Sequence, residues 1–90
     1  MSTSEQLLRE LRPASFALAY RMLGSVSEAE DVVQEALLRV HQALQAGEQI
    51  ASPRAFVATV TTRLAINELR SARARLARDE PRHAHRPLGA

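Results

Sequence analysis

Arg63, Asn67 and Arg70 follow one another at i, i+4 and i+7, and Arg73, Arg75 and Arg78 extend the same charge toward the carboxyl end. On a helix that spacing gathers the first three into one row. A row of guanidiniums with an interposed amide suits a polyanion, because guanidinium forks bridge phosphates and a carboxamide can bond a base edge. A second set lies upstream: Asp31, Gln34, Glu35, Leu38 and Gln42 share a helical face on which one leucine is ringed by carboxylates and amides. An apolar anchor inside a polar rim is how a helix binds another protein. Each set has a plainer alternative that spacing alone leaves open. Single exposed leucines are ordinary, and arginines late in a helix complement the negative pole of its dipole.

Charge separates the two sets more sharply than the formal net charge of +2 suggests. Through Pro53 there are seven acidic residues against four arginines; from Arg54 onward there are eight arginines against three acids. The first part is suited to a protein partner and the second to a polyanion. Catalysis finds little support. The chain has no cysteine and no Gly-rich phosphate loop, and no Ser/His/Asp set stands at strand-turn-helix punctuation, so no active site and no cofactor are assigned. His41 reads as a boundary residue, and His83 and His85 as a solvated pair without acidic or cysteine partners, so no metal site is assigned either. Phe16, Tyr20 and Phe56, the three aromatic residues, fall on or near the expected core stripes, which leaves no row of rings for successive bases. Base contact would rest on a pocket or on hydrogen bonds.

The 90 residues that must hold these side chains in place form one domain able to bury about 60 to 70% of the surface its unfolded chain exposes. Without disulfides or thiolate metal sites, stability must come from helix packing. The segment MSTSEQLLRE has no basic region followed by an apolar stretch, and no run approaches the roughly 18 apolar residues of a membrane span. A soluble, unexported, cytoplasmic chain with no membrane partner is expected.

No segment alternates with period two, and the few glycines punctuate segments of helical period, so the predicted class is all-α: a compact bundle of three main helices. The first runs from about Ser4 to Leu23, with Leu7, Leu8, Leu11, Ser15, Leu18 and Met22 on one stripe and Gly24 suited to the left-handed cap. Pro13 must kink it or split it in two. The second is expected to start at Ser27, whose hydroxyl stands three residues before Glu30 in a capping-box arrangement, with Glu28, Glu30 and Asp31 at the positive pole. Its core stripe is Ala29, Val32, Val33, Ala36, Leu37, Val40 and Leu44, and Gly47 stops it. The third starts with Ser52 as cap and Pro53 in its first turn and continues to about Asp79. It carries Phe56, Val57, Val60 and Leu64 on one face and Ala58, Ala65, Leu69, Ala72 and Leu76 on another, so it should pack against both other helices. The domain is expected over 1–80, followed by a flexible tail over 81–90.

Four blocks occur in order: Ala19-Tyr20-Arg21-Met22-Leu23-Gly24, then Ala29-Glu30-Asp31-Val32-Val33-Gln34-Glu35-Ala36, then Ser52-Pro53-Arg54-Ala55-Phe56, and last Thr62-Arg63-Leu64-Ala65-Ile66-Asn67-Glu68-Leu69-Arg70. Together they resemble the second conserved region of bacterial sigma factors of the extracytoplasmic-function group, over roughly Glu5 to Arg78. Their wording is closest to a subgroup whose full-length members add a small α+β domain. The resemblance implies that the helix with the Asp-x-x-Gln-Glu pattern docks on the clamp coiled coil of the largest subunit of core RNA polymerase, through Asp31, Gln34, Glu35, Leu38 and Gln42. It implies equally that the basic helix engages the promoter minus-ten element as separated strand through Arg63, Asn67, Arg70 and Arg73, with the loop from Ala46 to Ala51 near an extruded base.

This sequence departs from the family at Asn67-Glu68, where Asp followed by His or Arg is usual, so its promoter preference is expected to differ. Full-length members also carry a helix-turn-helix domain for the minus-thirty-five element, which nothing in these residues encodes. The expected function is that of a transcription initiation module that binds and does not catalyse. The alternative is an interaction protein or decoy that occupies the polymerase clamp, or an anti-sigma factor, without productive promoter binding.

Overall fold

The computed structural model describes residues 3–79, which form three helices in chain order: α1 over Thr3–Leu23, α2 over Val26–Gln45 and α3 over Pro53–Asp79. No strand occurs among the described residues, and each helix packs against both others, so the expected three-helix all-α bundle is the architecture. The expected tail over 81–90, with His83 and His85, lies outside the described residues.

The joints follow from local chemistry. Gly24, at φ +71, donates its N–H to the Tyr20 carbonyl at 2.7 Å and closes α1 in a left-handed cap. Ser25 follows in extended conformation (φ −134, ψ 128), and its Oγ accepts the Glu28 N–H at 3.3 Å. The start of α2 expected at Ser27 therefore lies two residues earlier. Ser25-x-x-Glu28 and Ser27-x-x-Glu30 both fit the capping pattern, and the turn at Gly24 delivers the extended backbone that a cap needs to Ser25, leaving Ser27 inside the first turn. At the other end, Gly47 at φ +82 donates to the Leu44 carbonyl and Glu48 to the Ala43 carbonyl, each at 3.1 Å. That pair of bonds is a Schellman closure. The expected start of α3 is observed: Ser52 Oγ accepts the Ala55 N–H at 3.2 Å, and Pro53 occupies the first helical position, where its missing donor costs nothing.

Pro13 does not divide α1, which runs as one helix from Thr3 to Leu23. The ring is exposed, so the Arg9 carbonyl that loses its partner lies on a hydrated side of the helix.

At the centre, Leu11 and Ala19 of α1, Val57 of α3 and Ala29, Val32, Val33, Ala36, Leu37 and Val40 of α2 form one apolar cluster, with Phe16, Leu44, Phe56 and Leu64 among those packed around it. Alanines 19, 29, 36 and 65 are fully buried, and their small side chains let the helices approach closely. One polar contact crosses this core: the hydroxyls of Ser15 on α1 and Thr61 on α3, both buried, are hydrogen-bonded at 2.8 Å.

With 27 residues against 21 and 20, α3 is longer than its neighbours by about 10 Å. Its first stripe packs as expected. The second stripe, expected to run from Ala58 to Leu76, is fully buried only at Ala65; Leu69 is 42% exposed and Leu76 62% exposed. Beyond Ala65 that side of α3 is covered only in part, with Ala72 half-buried and both leucines exposed.

Candidate protein and nucleic-acid interfaces

The buried side of α2, from Ala29 to Ala43, turns Asp31, Gln34, Glu35, Leu38 and Gln42 outward, and all five are exposed. Leu38, in their midst, is 47% exposed. The face has two unlike edges. On one, Gln34, Leu37, Leu38 and His41 meet Glu5, Leu8, Arg9 and Arg12 of α1 across a groove of about 450 Å³. On the other, Asp31, Val32 and Glu35 meet Leu64, Asn67, Glu68 and Ser71 of α3 across a groove of about 230 Å³. Four of the five residues that share a helical face thus open onto two different neighbours, Gln34 and Leu38 toward α1 and Asp31 and Glu35 toward α3.

Glu35 Oε2 accepts a hydrogen bond from Arg39 Nε at 3.0 Å, an i, i+4 pair in which both side chains are about half exposed. Such a pair contributes about 0.3–0.5 kcal/mol and exchanges readily for a partner's cation. His41 is half-buried, the expected boundary position, with its Nε2 3.5 Å from Gln45 Nε2.

Arg63, Asn67, Arg70 and Arg73 are all exposed along α3, and the three arginines make no ion pair with any described residue. Arg75 is different: its Nη2 lies 3.8 Å from Glu68 Oε2. Glu68 lines the α2 groove, so this acid stands among Asp31 and Glu35. Ahead of α3, residues Gly47 to Ala51 enclose an open concavity of about 610 Å³.

The aromatic residues correct one expectation. Phe16 and Phe56 pack on the core, but Tyr20 is 45% exposed, its ring stacked on Phe16 with centroids 5.9 Å apart and planes 8° from parallel. One helical step from buried Ala19 rotates it outward. It stands on α1, so it adds no ring to the arginine row. Sequence reasoning also passed over Leu8, Arg9 and Arg12 as groove residues. The available signal was two arginines three apart flanking a leucine stripe, which on its own also describes a solvated helix. No group of three or more His, Cys, Asp or Glu side chains able to hold a metal occurs among the described residues, and no described helix is long and apolar enough to cross a membrane.

The sequence model of the family described as Sigma-70 region 2 matches residues 7–75. Among curated proteins, the chain is similar to the ECF RNA polymerase sigma factor SigJ of Mycobacterium tuberculosis, 47% identical over 62 residues that make up 69% of this chain and 19% of that protein. It is also similar to the ECF RNA polymerase sigma factor SigL of the same organism, 47% identical over 58 residues, 63% of this chain and 33% of that protein. The matched part thus spans a third or less of either relative. No solved structure matches the chain.

Proposed function

Because this chain belongs to the sigma-70 region 2 family, matched from residue 7 to residue 75, we propose that it is a transcription initiation module of a sigma factor. In this reading α2 docks its outward face on the clamp coiled coil of the largest RNA polymerase subunit, and α3 holds the separated minus-ten strand of a promoter. The observation that carries it is the division of labour between helices. Leu38 stands half exposed among Asp31, Gln34, Glu35 and Gln42 on α2, while Arg63, Asn67, Arg70 and Arg73 are exposed on α3. Two ligands of opposite character can therefore be held at once.

The module works by binding. Leu38 fills an apolar pocket on the polymerase helices while the surrounding carboxylates and amides bond the rim. On α3 the exposed guanidiniums of Arg63, Arg70 and Arg73 take successive phosphates and Asn67 offers an amide to a base edge. The concavity over Gly47 to Ala51 is of a size to receive an extruded base. Extrusion costs a few kcal/mol, offset by the phosphate contacts and by attachment to polymerase.

A titration of a minus-ten single strand at low salt, with the Arg63→Ala and Arg70→Ala variants beside the wild type, tests the nucleic-acid half. Saturable binding is expected, weakened in both variants. If about five arginines touch phosphate, the log-log salt slope is near −3.5, and each contact removed lowers its magnitude by about 0.7. No binding at low salt, by a chain that is folded and bound to the clamp, would leave the decoy reading in its place.

A further inference from the structure

We infer that Glu68 is a specificity-determining residue of the strand-holding face: with Asn67 it selects a base that offers a hydrogen-bond donor beside an acceptor, as cytosine and adenine do, and rejects thymine and uracil. This rests on the reading of α3 as the helix that holds a separated strand, and names the base chemistry that helix prefers.

Asn67 belongs to two surfaces at once. It stands in the exposed row with Arg63 and Arg70, and it lines the groove between α2 and α3 with Leu64, Glu68 and Ser71. A strand whose phosphates follow the two guanidiniums therefore has this groove beside it. Phosphate is kept out, because the charged groups that line the groove, Glu68 from α3 with Asp31 and Glu35 from α2, are all carboxylates. An uncharged base is not, and about 230 Å³ beside Val32 and Leu64 is of a size for a single ring. Its edge then meets Glu68 and Asn67. The Glu68 carboxylate is about one-third exposed and lies 3.8 Å from Arg75, beyond hydrogen-bond distance, so its oxygens keep their capacity to accept. Cytosine gives its N4 amino group to a carboxylate while its N3 accepts from the Asn67 amide, and adenine offers N6 and N1 in the same order. Uracil and thymine set a carbonyl oxygen where Glu68 requires a donor, and a site built on such a bond rejects the analogue that lacks it.

The test is fluorescence anisotropy of the full chain at low salt with two strands of about twelve nucleotides, one of deoxycytidine and one of deoxyuridine. The strands carry the same phosphates and sugars and differ at the hydrogen-bonding edge of the ring. Glu68→Gln keeps the shape of the side chain but can donate as well as accept; Glu30→Gln removes a charge at an exposed position outside the groove. Circular dichroism verifies equal helicity. The expected result is about a tenfold preference for the cytidine strand in the wild type and in Glu30→Gln, reduced to about twofold or less in Glu68→Gln through tighter binding of the uridine strand. Equal affinity of the wild type for both strands, or a Glu68→Gln variant that binds both more tightly and keeps the preference, would show that Glu68 only repels phosphate; the inference falls and the strand-holding reading stands. If the folded wild-type chain binds neither strand, both fall together.

Discussion

Leu38 and the Ser15–Thr61 pair break the same rule in opposite directions, one an apolar group left in water and the other two hydroxyls taken out of it. The hydroxyls satisfy each other at 2.8 Å, so their burial costs little as a pair and more when one is removed. Ser15→Ala is expected to destabilise the fold by about 1–2 kcal/mol, since the buried Thr61 hydroxyl then loses this partner, whereas Ser15→Ala/Thr61→Val should lie closer to the wild type. Urea unfolding of the single and double variants checks this; a single variant as stable as the wild type would mean the bond contributes nothing. Leu38 was legible in the sequence because a leucine among Asp31, Gln34, Glu35 and Gln42 interrupts a polar face. Thr61 was not, because it lies between the two apolar stripes of α3 and nothing in periodicity gives a lone threonine a partner 46 residues away.

The helices themselves were legible because each carries its own punctuation: Gly24 and Gly47 at positive φ, and Ser52 before Pro53. Two elements show where such reading stops. Ser25 and Ser27 offered equivalent capping patterns, and the choice was made by the geometry that Gly24 hands to its neighbour, a property of two helices rather than one. Pro13 leaves α1 whole because the lost bond faces water and packing against α2 and α3 holds the helix on both sides of it. Pro13→Ala is accordingly expected to stabilise the protein by about 1–3 kcal/mol, restoring a donor to the Arg9 carbonyl and relieving the ring clash. Thermal unfolding reads this as a rise of at least about 4 °C. An unchanged or lower midpoint would show that the proline itself contributes to the packing of α1.

For the whole molecule, the consequential feature is that α3 outruns the bundle. Past Ala65 its apolar positions lose cover, so the arginines from Arg70 onward stand on a helix supported on fewer sides. Local stability should fall along α3, and amides beyond Ser71 are expected to exchange about 100-fold faster than those of Val57 to Ala65. Uniform protection to the end of α3 would mean the overhang is covered by something else. The two grooves were not visible in the sequence. Periodicity says which side of a helix is buried, but which residues face one another across a seam depends on how the axes cross, and that follows from ridges and small residues on all three helices together. Hence the residues of the α2 face were found, while their assignment to an α1 edge and an α3 edge came only with the fold.

The central claim, that α2 is the polymerase-docking helix, meets its most direct test in a titration of the chain against the isolated clamp coiled coil, beside Gln34→Ala and Leu38→Ala. Both side chains are exposed and outside the core, so both variants should keep wild-type helicity and lie within about 0.5 kcal/mol of its stability. Saturable binding by the wild type that is lost or strongly weakened in both variants is the predicted result; a folded chain that does not bind, or binding indifferent to Leu38, would contradict it.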